Sequence, residues 1–312
     1  MVSRRNVRIK VMQMLYSMNR DKSLDLTATL AQYRSSISQT FDLYLFNLLL
    51  LMRTATYARI DAKRKKSKHI PTAEDLEFTP KLADNASISS LLENQGIHRL
   101  FKRADLEDKF DKDHIRKFYA AFADTPEYKT YLKDSVSSSD KDKEILLLLY
   151  RNCLQNEVFT ELISDNFALW IDDRSLAVGA IKKTIKALPA TEDFYTIFKP
   201  DEETVDEFGK ELLVQCVQQE KDLLAIITPA LKNWDADRIA VIDLILIKMA
   251  LIEFTTFSSI PTKVTLNEYV DLAKIYSTDK SKDFINGILD RLVKQLQEEG
   301  KIQKKGRGLV QK

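Results

Sequence analysis

The chain has 312 residues, with 48 Lys+Arg against 46 Asp+Glu, a formal net charge of +2 and 44% hydrophobic residues. That balance belongs to a globular chain of one large domain or two small ones, not to a disordered or fibrous one. Seven Gly and seven Pro are too few for the many tight turns of an all-β sandwich, so the expected class is all-α.

Residues 3–19 read as an amphipathic helix whose stripe is Val7, Val11, Met14, Leu15 and Met18. Arg4, Arg5 and Arg8 fall beside that stripe, and no acid precedes Asp21. Two readings stand: a solvated rim on a core helix, or an anion-binding face. A second helix is expected over 26–62, with Ser35–Gln39 a candidate break. It runs into Arg59–His69, where six Lys and Arg stand against one acid. Such a run is solvated surface or a phosphate-binding arm. Residues 70–90, with Pro71 and Pro80, carry no clear period and read as a linker or long loop.

Residues 97–123 are charged and amphipathic. The acids Asp105, Glu107, Asp108, Asp111 and Asp113 sit among Lys and Arg, and helix-surface ion pairs explain them more simply than acid–base chemistry or a hard metal. Thr125-Pro126-Glu127 is a helix start. Helices are expected over 141–170 and 175–188, followed by an irregular joint between Pro189 and Pro200. Four more are expected near 204–227, 235–257, 264–276 and 280–298, with Pro261 breaking the chain between the second and third. Residues 301–312 carry five basic residues and no acid and are expected to be a flexible tail.

No glycine motif cradles a phosphate. Cys153 and Cys216 are too far apart for a C-x-x-C site, and with only His69, His98 and His114 an all-His/Cys zinc site is not expected. The basic N-terminus interleaves its apolar residues with Arg, Lys and Gln, so it lacks the apolar core of a signal peptide. The apolar stretches Phe41–Met52 and Ile239–Ile252 are too short to span a bilayer. The expectation is a cytoplasmic protein with no membrane partner.

Two stretches resemble the bacterial transcription antitermination factor NusB family. One is the Arg-rich N-terminus leading into Gln13-Met14-Leu15-Tyr16. The other, stronger match combines Ala250-Leu251-Ile252-Glu253, Ile260-Pro261, Asn267-Glu268, Leu272-Ala273-Lys274 and Phe284-Ile285-Asn286-Gly287-Ile288-Leu289-Asp290. Their order and spacing over about 60 residues carry the resemblance, which covers residues 3–20 and 204–296. It implies a helical bundle with a large inserted helical lobe, because ordinary members are about half this length. The implied division is 1–20 with 201–300 as a discontinuous RNA-binding domain and 21–200 as the insertion.

The resemblance further implies a protein that is not an enzyme and needs no cofactor or metal. Such proteins bind boxA, a single-stranded element of ribosomal RNA leaders, together with a small-subunit ribosomal protein acting as NusE. With other Nus factors and RNA polymerase they suppress termination. Carried over residue by residue, Arg4, Arg5, Arg8 and Phe284 would contact RNA, while Asp237 and Asp243 would face the ribosomal protein. From the residues alone, Phe284 reads more readily as a core-edge aromatic than as an exposed contact. Asn6 departs from an Arg-rich run and Lys280 from an acid carried by some members. Gly287, which costs a helix about 1 kcal/mol against Ala, is expected at a close helix approach, with Asn286 capping or cross-bonding a neighbouring backbone. Two other readings stay open. One is a helical scaffold that binds proteins but not RNA. The other is the RNA-binding half of a ribosomal RNA cytosine methyltransferase, against which the lack of a Pro-Cys nucleophile and of Gly-rich motifs speaks.

Overall fold

The computed structural model describes residues 2–136, 138–231 and 239–305. Among these residues the chain is helical throughout and has no strand. In chain order the helices are α1 (Arg4–Arg20), α2 (Leu26–Lys66), α3 (Ala73–Glu77), α4 (Lys81–Asp84), α5 (Ala86–Glu93), α6 (Gln95–Arg103), α7 (Lys112–Ala123), α8 (Pro126–Lys133), α9 (Ser139–Gln155), α10 (Glu157–Asn166) and α11 (Trp170–Lys186). They continue with α12 (Glu211–Gln218), α13 (Glu220–Ala230), α14 (Val241–Thr256), α15 (Thr262–Tyr276) and α16 (Ser281–Glu298). Packing separates two units, Ser38–Lys199 and Val2–Ile37 with Pro200–Lys312. Residues 21–37 thus sit with the C-terminal block, a boundary later than the one expected after residue 20.

Several boundaries differ from the expected ones for local reasons. α2 is unbroken at Ser35–Gln39, where Ser36 donates its hydroxyl to the Tyr33 carbonyl and the helix continues. The segment read as a loop holds α3, α4 and α5. Thr72 and Asp75 form a capping box at α3, and Asn85 Oδ1 accepts the Ile88 N–H at α5. Asn156 ends α9 and caps α10, so the single helix expected there is two. The segment expected to begin at Thr204 opens instead with π-helical turns over Glu203–Lys210.

In the unit of residues 38–199, α2 is the central element. Leu43–Phe46 and Leu48–Met52 are at most 1% exposed, so the helix is buried all round. Three buried polar side chains on it are matched across the core. Thr40 donates to Asp173, Tyr44 pairs with Thr184 at 2.9 Å, and Asn47 accepts from the Tyr150 hydroxyl at 2.9 Å. α9 packs against α5, α7, α8, α10 and α11 in the same core.

The other unit is built on α14, whose Ile245–Phe254 are all buried, with α1, α12, α13, α15 and α16 packed around it. Among the described residues no helix is long and apolar enough to cross a membrane. Both cysteines lie in cores, and burial pushes the Cys153 thiol up to about 12 and Cys216 higher still. Neither is expected to react with a thiol reagent near neutral pH until the protein is unfolded. Labelling in native buffer and in denaturant checks this.

Candidate nucleic-acid interface

α1 starts at a capping box. Asn6 Oδ1 accepts the Ser3 N–H at 3.1 Å, and the Asn6 N–H points back to the Ser3 hydroxyl. Asn6 is therefore a cap residue, not a thinned basic edge. The first turn has no acid and carries Arg4 and Arg5 at the positive end of the helix dipole. Cations there cost local stability, roughly 0.3–1 kcal/mol each. The same placement adds guanidinium charge to free backbone N–H groups, the two ingredients of an anion site.

Arg4 is about two-fifths exposed, lies over the Phe208 ring at 5.7 Å and meets Glu203 at 2.8 Å. Arg5 is similarly exposed and reaches Glu268 at 3.4 Å and Asp271 at 3.8 Å. All three acidic partners are at least one-quarter exposed, so these surface pairs contribute little to stability. The α15 carboxylate of Asp271 is held below its ordinary value by its bond to Lys274, with Arg5 a smaller contributor.

Arg8 corrects the sequence expectation. It is 3% exposed, and its fork is filled by Glu253, with Nε at 2.8 Å and NH2 at 2.6 Å. Thr265 and Tyr269 donate to the same carboxylate at 2.7 and 3.1 Å, and the rings of Phe208 and Tyr269 flank the guanidinium. Burial opposes the Arg8 charge, but the bonds and charge of Glu253 outweigh it and hold the group above its ordinary value. A guanidinium so enclosed has no face left for a phosphate. Its work is to lock α1 onto α14 and α15.

The remaining expected site residues divide similarly. Phe284 is 8% exposed, at the edge of the core rather than on the surface. Asp243 is buried and accepts the hydroxyls of Ser277 and Ser281 at 2.5 and 2.7 Å. It staples the start of α14 to the start of α16 and offers no open carboxylate to a partner. Asp237 lies outside the described residues, as do residues 306–312 of the basic tail. Gly287 is exposed and, among the described residues, nothing lies within 4 Å of where its Cβ would stand, so no described helix approaches it closely.

In the other unit, the Arg59–Lys68 run is largely committed to its own surroundings. Arg59 pairs with Asp84, Arg64 with Asp61 and Lys68 with Asp75, while Lys65 sits 4.0 Å over the Phe78 ring. The contacts to Asp84, Asp75 and Phe78 fasten the end of α2 to α4 and α3, while the Arg64–Asp61 pair lies within α2.

Sequence reasoning missed two features of this surface. The first is the Glu253 hub, whose only signal was an acid in a helix whose other charged residues are Asp243 and Lys248. The second is residues 301–305. Gly300, at φ +65°, reverses the chain after α16, and the Lys301 N–H returns to the Leu296 carbonyl. Lys304 Nζ then donates to the carbonyls of Glu253 and Phe257, both at 2.9 Å, at the C-terminal end of α14. The start of the tail is docked, where a flexible one was expected.

Comparison with known proteins adds the following. The sequence profile of the NusB family matches residues 172–294. The chain is similar to the transcription antitermination protein NusB of Chloroherpeton thalassium, 38% identical over 104 residues, which are 33% of this chain and 49% of that protein. The protein of the same name from Salinibacter ruber is 36% identical over 104 residues, 33% of this chain and 65% of the relative. That of Listeria welshimeri is 38% identical over 88 residues, 28% of this chain and 69% of the relative. The chain thus spans less than two thirds of the first two relatives. No solved structure matches. The profile begins at residue 172, so α1 lies outside it.

Proposed function

Because the chain belongs to the NusB family, we propose that it is a non-enzymatic RNA-binding adaptor of transcription antitermination, with Arg4 and Arg5 as its phosphate-contacting residues. The observation that carries this reading is the N-terminus of α1. Two half-exposed arginines stand there against the helix dipole, held in place by a buried Arg8–Glu253 pair. A helix end that gives up local stability for positive charge is best accounted for by an anionic ligand. The geometry suits a single strand. Arginine forks take phosphates bidentately, and a planar guanidinium stacks on splayed bases.

The ligand proposed, supported by the family resemblance, is a boxA-like segment of a ribosomal RNA leader, bound with a small-subunit ribosomal protein acting as NusE and presented to other Nus factors and RNA polymerase. In this reading residues 2–37 and 200–305 form the RNA-binding body. Asp243 is not part of the ribosomal-protein surface, because its carboxylate is already held by two serines.

The test is a titration with a labelled boxA-like RNA across salt, near pH 7. The double variant R4A/R5A is expected to bind more weakly. Its slope of log affinity against log salt is expected to be shallower by about 1.4, since each phosphate that a single strand no longer has neutralised removes about 0.7 from the slope. Stability is expected to move by less than about 1 kcal/mol, because both side chains are in surface pairs. A folded R4A/R5A protein with the wild-type affinity and slope assigns these arginines to their carboxylates alone and moves the RNA contact elsewhere, whereas a wild type without salt-dependent RNA binding favours a protein-only scaffold.

A further inference from the structure

The docked segment after α16 is linked to Arg4 through one aromatic pair. Lys304 donates to the Glu253 and Phe257 carbonyls at 2.9 Å. Phe257 meets Phe208 edge-on, with ring centroids 5.0 Å apart, and Arg4 lies over Phe208. The Glu253 side chain holds Arg8 on α1. One aromatic pair and one glutamate therefore connect the segment to α1.

The docking is specific in its parts. Gly300 makes the reversal, Ile302 packs against the core, and the Lys305 N–H bonds to the Ser258 carbonyl at 3.0 Å. The Lys304 ammonium meets helix-end carbonyls that have no partner within the helix, where the dipole favours a cation. Burial pushes Lys304 down to about 8, so it stays largely protonated near pH 7. With Lys304 turned inward, the exposed cations are Lys301 and Lys305. Lys301 meets Glu299 in an exposed pair at 2.7 Å, and Lys305 has no acidic partner among the described residues.

We propose that residues 301–305 are a strap that extends the phosphate-binding surface of α1, with Lys304 as the clasp and Lys301 and Lys305 as further contacts to single-stranded RNA. This rests on the RNA-binding reading above and adds a second set of contacts to it. A fastened cation binds a phosphate without first being ordered, whereas a cation on a free tail loses that entropy on binding.

The experiment compares wild type, R4A/R5A, K301A/K305A and K304M with the labelled boxA-like RNA across salt near pH 7. Amide hydrogen exchange is followed at residues 301–305. K301A/K305A is expected to make the salt slope shallower by about 1.4, so that the fall in affinity between roughly 50 and 200 mM salt is about sevenfold smaller. K304M keeps both outer cations but is expected to lose protection at the Lys305 amide and to bind more weakly than wild type. If wild type and R4A/R5A behave as expected while K301A/K305A matches wild type, the strap is overturned and the α1 reading stands. If K304M loses protection yet binds as wild type, docking does not place the cations and the clasp is overturned. If wild type shows no salt-dependent binding, both fall together.

Discussion

Replacing Arg8 by methionine is expected to destabilise the unit containing α1 by about 3–5 kcal/mol, the typical cost of removing one partner from a buried ion pair. The cost arises from what is left behind. Methionine fills much of the volume, but Glu253, at 0% exposure, would keep a carboxylate with only the Thr265 and Tyr269 hydroxyls donating to it. The site then either holds an uncompensated charge or takes up a proton. The double variant R8M/E253M removes both charges and is expected to recover most of the loss, because a well-packed apolar pair often matches a buried ionic one. The midpoint of the chemical-denaturation step that carries α1, identified by hydrogen exchange of its amides, measures this. A loss below about 1 kcal/mol in R8M would mean that water reaches the pair. The salt slope of RNA binding separates roles: it is expected to be unchanged in R8M/E253M and shallower in R4A/R5A.

Arg8 also marks where the sequence stopped being legible. The all-α class and the family were readable, because helical stripes and the motif between Ala250 and Asp290 are local patterns. The direction of a long side chain at the edge of a stripe is not. Arg8 is one residue, about 100°, from Val7, and whether it turns inward depends on a carboxylate 245 residues away. The available signal was on the other partner: Glu253 sits in the run Met249–Phe254, whose other residues are all apolar, and a buried acid needs a mate. Asp243 gives the same lesson, since its partners Ser277 and Ser281 lie 34 and 38 residues on. The segment 70–90 was unreadable for a different reason. Its helices of four to eight residues are too short to show a 3.6-residue period, and only the caps at Thr72 and Asn85 announce them. Among the glycines, the sequence drew attention to Gly287 and passed over Gly209, although of these two only Gly209 is closely approached.

Gly209→Ala is accordingly expected to be the more damaging change, by about 2–4 kcal/mol. A Cβ there would stand 2.0 Å from Tyr33 Oη and 2.3 Å from Val7 Cγ1. Neither neighbour can yield cheaply. Both are 0% exposed, and the Tyr33 hydroxyl donates to the Val205 carbonyl at 2.9 Å in the π-helical turns that contain Gly209. Moving the ring leaves a buried hydroxyl and carbonyl unpaired, about 1–3 kcal/mol, while pushing Val7 strains the seat of α1, another 1–3 kcal/mol for overpacking. The better helix propensity of alanine offsets at most about 1 kcal/mol. Gly287→Ala is the internal control. Its Cβ meets nothing within 4 Å, so only the propensity gain remains and the variant is expected to be more stable than wild type, by up to about 1 kcal/mol. Opposite shifts of the denaturation midpoint for the two glycines support this account. A neutral or stabilising Gly209→Ala would mean that α1, the start of α2 and the π-helical turns are packed less tightly than these distances require.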